Sequence, residues 1–283
     1  MAAETSGPWH EVADRVWTAV AQPESVSTAV VAGTRGLLVV DPGSSPEQGR
    51  GLRASAERLT GLPVLGAVAT HAHHDHLFGL GAFDDLLTWG HEGLADALRS
   101  EASVAEAVRL GVDVGTLRPP NRPFALATGV DLGDRWVEMA HLGEGHTSSD
   151  VVVVVADADV VFVGDLLESA TPPWFGEDSA PDVWPATLDS VIGLMASGRV
   201  TAVPGHGSPM GFEDALMQRG QIAAVAAEIE RLLVAGVPVA EALEQGGWPF
   251  PAEHLAGGVR AGYRRLTERG VRPSRQLPIT AVD

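Results

Sequence analysis

The segment THAHHDH, residues 70–76, gathers four histidines and one aspartate into six consecutive positions. Neighbouring imidazoles gain nothing from one another unless something binds them. Neutral imidazole together with carboxylate is a donor set suited to zinc and other borderline divalent metals. In an extended loop, residues two apart project to the same side, so His71 and His73 can converge on one point. Asp75 and His76 can face a second point if the chain turns just after. One cluster cannot complete two sites. The fold must therefore deliver further donors from other loops to the same place, and no other feature of the sequence restricts the architecture as much.

The flanking sequence reads as strands and helices in alternation. PVLGAVAT is a short apolar strand that runs directly into the motif. Val12–Val20 broadly alternates in polarity, and STAVVAG and GLLVVD are apolar runs separated by Thr34 and Arg35 with glycine on each side, the punctuation of a hairpin. DPGSSP follows as a turn. Pro46–Leu59 has helical spacing, with Leu52, Ala56 and Leu59 on one face. Further strands are expected at LLTWG, Trp136–Leu142, Val151–Ala156 and Val160–Val163. Helices are expected over GLADALRSEASVAEAVRLG, Pro185–Ala196 and Phe212–Leu233. On the last of these, Leu216, Ile222, Val225, Ile229, Leu232 and Leu233 are expected to face the core, a homodimer contact being the second reading. PPNRP (119–123) and residues 170–185 are Pro-rich irregular stretches. The order of elements indicates sheets covered by helices in a single domain, 1–283, with a helical C-terminal extension from about residue 212.

Three downstream positions share one pattern, a metal-competent side chain beside glycine at the edge of an apolar strand. They are His146 in GEGHTSSD, Asp165 closing VVFVGD, and His206 in VPGHGSP. Glycine lets the backbone approach closely at such points. The series HAHHDH, GHT, GD and PGHG, with DPG at 41–43 ahead of it, resembles the metallo-β-lactamase superfamily over about residues 12–210. That resemblance implies an αββα four-layer sandwich of class α/β, with two mixed sheets face to face, helices outside, and metals at one edge between the sheets. It also implies that His71, His73 and His146 hold one metal, that Asp75, His76 and His206 hold a second, and that Asp165 bridges them. Asp41 is expected to buttress the metal loop by hydrogen bonding rather than to ligate. His74, at a variable position of the motif, is expected to point away. Trp174 and Phe175 are candidates either for an apolar substrate wall or for packing.

The resemblance further implies a dinuclear zinc hydrolase, with two Zn²⁺ per chain and iron or manganese as alternatives. A hydroxide bridging the two metals would cleave an ester, thioester, lactone or related small-molecule bond, and Asp75 would be the catalytic group that orients it. No protein nucleophile is needed, which agrees with the absence of Cys and of a G-x-S-x-G elbow. The chain also has no Lys, so lactamase types that rely on Cys or Lys are set aside and lactam hydrolysis is left as a side activity. A mononuclear iron persulfide dioxygenase is the alternative enzyme, and a non-enzymatic metal protein the third reading. The net charge of −18 argues against nucleic acid as a partner. The N-terminus shows no secretory pattern, and VVVVVADADVVFVG, broken by Asp157 and Asp159, is too short to cross a bilayer. A cytoplasmic protein acting on a small molecule, with no membrane partner, is expected.

Overall fold

Strands in this chain pair with their sequence neighbours. In the computed structural model, which describes residues 7–274, β1 (His10–Ala13), β2 (Val16–Ala21), β3 (Val26–Ala32), β4 (Leu37–Val40), β5 (Val64–Val68), β6 (Leu87–His91) and β7 (Arg122–Phe124) form one sheet in that order. The first four are antiparallel, and β4 to β7 run parallel. The second sheet is β8 (Ala127–Asp131), β9 (Trp136–Ala140), β10 (Val152–Val155), β11 (Val160–Gly164) and β12 (Thr201–Pro204), with only β11 and β12 parallel. Parallel neighbours need a crossover. Helix α1 (Pro46–Thr60) supplies one between β4 and β5. It begins on a Ser45 cap that accepts from Gln48 N and ends at left-handed Gly61.

Alternation along the strands builds the layers. On β3, Ala29 and Val31 face the second sheet and pack with Leu38, Val68, Val137, Met139, Val153 and Phe162. Val30 and Ala32 face the other way and pack with Ala56 of α1, Leu77 and Phe83. That outer layer also holds α2 (His74–Leu77), α3 (Leu94–Ala97) and α4 (Glu101–Leu110). Outside the second sheet, Val161 and Val163 pack against α5 (Trp184–Met195), α6 (Phe212–Val234), α7 (Val239–Gln245) and α8 (Ala252–Glu268). The four layers are thus helix, sheet, sheet, helix, as the resemblance implied.

Local departures from the sequence reading have local causes. The segment Val12–Val20 is two strands, because the chain turns at Asp14–Arg15, where Arg15 adopts a positive φ of 54°. The helix expected across residues 93–111 is split in two by Ser100, whose extended backbone caps α4 and accepts from Ser103 N. Strand β8 and the short β7 carried no strong periodic signal. On α6, Leu216 is exposed and Ala215 takes its place in the core, while Ile222, Val225, Ile229, Leu232 and Leu233 are buried as expected. Among the described residues, no helix is long and apolar enough to cross a membrane.

Candidate metal centre

The motif lies where β5 ends at the seam between the sheets. Two hydrogen bonds close that seam: Ser27 N donates to Gly205 O at 2.7 Å, and Val151 N donates to Thr70 O at 2.7 Å. His73 is extended (φ −74°, ψ 149°) and serves as the N-cap of α2. The turn that begins there swings Asp75 and His76 away from His71 and His73. Donor atoms of His71, His73, His146 and Asp165 consequently lie within 4.8 Å of one another, and those of Asp75, His76 and His206 form a second such group. All seven residues singled out in the sequence are brought together. His74 joins neither group, and its ring nitrogens face Glu24 and Glu106 at 3.6 and 3.4 Å.

The spacing can be compared with what a metal needs. Donors about 2.0–2.1 Å from a tetrahedral ion are roughly 3.3 Å from each other. Here His71 Nε2 and His146 Nε2 lie 3.2 and 2.8 Å from His73 Nδ1, and 3.7 and 3.5 Å from Asp165 Oδ2. In the second group Asp75 Oδ2 is 3.3 Å from His206 Nε2 and 3.7 Å from His76 Nε2. Asp165 faces both groups, with Oδ1 3.4 Å from His76 Nε2 and Oδ2 3.6 Å from His206 Nε2. Buried His76 Nε2 and Asp165 Oδ1 have no hydrogen-bond partner among the described residues. Such orphaned atoms are costly unless something binds them. The donor set and its spacing fit two divalent ions.

Hydrogen bonds on the far side of each ring fix which nitrogen is available. Thr70 Oγ1 spends its one proton on Asp41 Oδ2 at 2.9 Å, so it can only accept from His71 Nδ1–H, 3.1 Å away. That leaves the His71 Nε2 lone pair aimed into the site. His76 Nδ1 donates to Asp41 Oδ2 at 2.9 Å and His146 Nδ1 to Trp174 O at 3.1 Å, leaving Nε2 free in each. His73 is reversed: Nε2 donates to Asp178 Oδ2 at 3.0 Å and Nδ1 faces the site. Four rings are therefore held in the tautomer that a metal ligand requires. Asp41 also accepts from Thr70 N at 2.8 Å, so it buttresses the loop rather than joining either donor group. It does so from a left-handed backbone (φ 52°), which Asp tolerates better than most residues.

Glycine makes the convergence possible at one point above all. A Cβ on residue 205 would lie 1.9 Å from Asp165 Oδ1 and 2.8 Å from His76 Cε1. Only a bare backbone fits between these two side chains.

The electrostatics without ions show how strongly the groups are coupled. Burial, reinforced by His76, His146 and His73, pushes His71 well below the usual imidazole range. Burial and His73 push His146 down to about 4. For His76 burial acts in the same direction, but Asp165, Asp75 and Asp41 outweigh it and push it up to about 10. The Asp75 carboxyl, despite burial, is held well below the usual carboxylate range by His76, His206 and His74. The extra proton on His76 offsets carboxylates that divalent ions would otherwise neutralise, so metal binding there should release it.

Several contributors escaped the sequence reading. Thr70 precedes the motif directly. Asp178 and the Trp174 carbonyl come from the irregular stretch 170–185, where no periodicity or spacing singled them out. Trp174 is half-exposed and borders the cavities beside the site, whereas Phe175 is fully buried, with its ring 4.7 Å from that of Trp184. Glu168, buried at the cleft over the donors, is pushed up to about 8 by burial and by Asp165.

Comparison with known proteins agrees with this geometry. The family model of the metallo-beta-lactamase superfamily matches residues 21–206. A linear primary-alkylsulfatase from a Pseudomonas species is 24% identical over 267 residues, covering 78% of this chain and 49% of that protein. An acyl-coenzyme A thioesterase from Bos taurus is 30% identical over 179 residues, covering 57% of this chain and 62% of that one. The chain thus spans less than two thirds of these curated relatives. Among solved structures, a metallo-beta-lactamase from Pontibacter korlensis has a TM-score of 0.61 at 19% identity, covering 76% of this chain and 98% of that one. The metallo-beta-lactamase FIM-1 from Pseudomonas aeruginosa, in its mono-zinc form, has a TM-score of 0.62 at 19% identity, covering 77% and 96%. At that identity the likeness speaks to the fold alone. By the family match, the fold and the donor set taken together, the chain belongs to the metallo-beta-lactamase superfamily of metal-dependent hydrolases.

Proposed function

We propose that this chain is a dinuclear zinc hydrolase that cleaves an ester, thioester or lactone bond in a small molecule. The observation that carries the reading is the pair of donor groups whose four outer hydrogen bonds hold His71, His73, His76 and His146 in ligand tautomers. His71, His73 and His146 would hold one ion, Asp75, His76 and His206 the other, and Asp165 would serve both. Two divalent ions so held supply Lewis acidity and a water acidic enough to act as a nucleophile near neutral pH. Asp75 Oδ2, in the second donor group and 3.3 Å from His206 Nε2, would orient that water and carry its proton toward the leaving group. Among the described residues the two donor groups consist of imidazoles and carboxylates alone, which supports water as the group that breaks the scissile bond. Acyl-CoA thioester and alkyl sulfate cleavage, the activities named for two relatives, support an ester-type bond as the target.

The test begins with elemental analysis of protein purified without added metal or a metal-binding tag. Two zinc ions per chain are expected; one iron per chain would move the reading to sulfur oxidation. On a substrate found by screening esters, thioesters and lactones, Asp75→Asn should lower kcat by about two orders of magnitude or more with little change in KM. An unchanged kcat would remove Asp75 from the mechanism.

A further inference from the structure

A cavity of about 790 Å³ opens beside the candidate metal centre and shares His73, His74 and Trp174 with the cleft directly over the donors. Its size suits a small-molecule substrate. Its floor is apolar, from Ala72, Phe78, Ala97 and Trp174. Part of one wall comes from α8, beyond the residues that the family model matches. That wall is closely fitted: Phe175 N donates to His254 O at 2.8 Å, and Gly258 N donates to Phe175 O at 2.7 Å. A Cβ on Gly257 would lie 2.8 Å from the Glu177 backbone nitrogen. The cavity is therefore a fixed feature of this chain and not a gap between loosely packed parts.

Charge in the cavity is one-sided. Glu106, Glu177, Asp178 and Glu253 line it, and Arg260 is the one cation among the lining residues. Arg260 is already engaged, its Nε donating to Glu177 Oε1. The cleft over the donors adds Glu24 and no arginine. Glu106 stays ionised, its carboxyl held below the usual range by hydrogen bonding to Arg109, whose side chain is more than half exposed. Glu253 lines the cavity and is exposed. A concave site lined by one sign of charge focuses its field on whatever enters. Two ions at the centre would make the reacting end favourable to developing negative charge, while the cavity beyond it repels an anion.

We propose, building on the hydrolase reading, that this cavity holds the part of the substrate remote from the scissile bond and takes it neutral or cationic, with Glu106 and Glu253 turning away anionic tails. Specificity here works by penalising the wrong partner, because among the described residues that line the cavity the one arginine is already paired with Glu177.

The test uses the metal-replete full chain and p-nitrophenyl esters of equal acyl length that end in methyl, trimethylammonium or carboxylate. At low salt, kcat/KM for the methyl and trimethylammonium esters should exceed that for the carboxylate ester by at least about tenfold. In Glu106→Gln/Glu253→Gln that ratio should fall at least about threefold, and raising the salt should shrink it in the unsubstituted protein. Equal or faster cleavage of the carboxylate ester would overturn the proposal. A preference that survives both the double substitution and high salt would overturn the assignment to these two residues. Calorimetry with metal-free protein separates this inference from the one beneath it. Hexyltrimethylammonium should bind more tightly than hexanesulfonate, and the reverse order would overturn the proposal. If that ranking holds and no ester is cleaved, the hydrolase reading fails and the cavity preference stands.

Discussion

Replacing Asp178 isolates what an outer hydrogen bond contributes to the centre. Its carboxylate accepts from His73 Nε2 at 3.0 Å and thereby turns Nδ1 toward the donors of His71 and His146. The Asp178 side chain is 53% exposed, so its loss leaves no buried orphan, and water can reach the freed imidazole N–H. The fold should therefore hardly notice Asp178→Ala, and a stability change within about 1 kcal/mol is expected. Metal binding should notice it more. Outer partners of ligating histidines typically govern affinity by about 10–100-fold, which is roughly 1.4–2.8 kcal/mol. The assay is a competition titration of metal-free protein with a chromophoric chelator, run beside a thermal melt. Asp178→Ala should weaken one of two binding events by that factor at nearly unchanged melting temperature, and Asp178→Asn, which keeps an acceptor oxygen, should lose less. If Asp178→Ala binds both ions as tightly as the original chain, His73 is oriented by its own packing and the argument from hydrogen-bonded tautomers fails.

Other perturbations test the seam and the pairing of the sheets. Gly205→Ala puts a methyl group 1.9 Å from Asp165 Oδ1; it should destabilise the protein by about 1–3 kcal/mol and abolish binding of the second ion, both readable by melting and elemental analysis. Arg135, with a side chain only 1% exposed, donates to Asp157 Oδ2 and Ala32 O and links the sheets near the end of β3 remote from the site. Arg135→Ala should cost about 2–4 kcal/mol in denaturant unfolding without changing metal stoichiometry. Asp150 is pushed up from 3.8 to about 7 by burial, against the hydrogen bonds from Thr147. A carboxyl that holds its proton in the folded state but releases it when unfolded stabilises the fold fully below pH 3.8, and that contribution fades as pH rises toward 7. Stability curves should therefore slope downward across that window, and Asp150→Asn should flatten the slope; an unchanged slope would show that Asp150 does not carry it.

The difference between what the sequence carried and what folding added is clearest at the centre itself. The donors were legible because their spacing is local. His71 and His73 sit two apart in an extended loop, α2 turns Asp75 and His76 aside, Asp165 and His206 follow Gly164 and Gly205 at the ends of β11 and β12, and His146 follows Gly145 in the loop before β10. The layered fold was legible for the same reason, since the apolar runs of β3 and β4 and the helical spacing on α1 and α6 act over a few residues. The sequence did not reveal the partners that set each ring's tautomer. Asp178 lies 105 positions from His73, and the Trp174 carbonyl reaches His146 from a stretch without periodicity. Backbone carbonyls carry no residue identity, and a carboxylate in an irregular loop looks like any other until the chain is packed. The charge of the cavity was equally hidden, because the acidic composition is spread along the whole chain. Only packing α4, α8 and the 174–178 segment around one space concentrates four carboxylates there. Short-range order follows from neighbouring residues, whereas hydrogen-bond partners and cavity electrostatics depend on distances between remote segments, which tertiary structure alone decides.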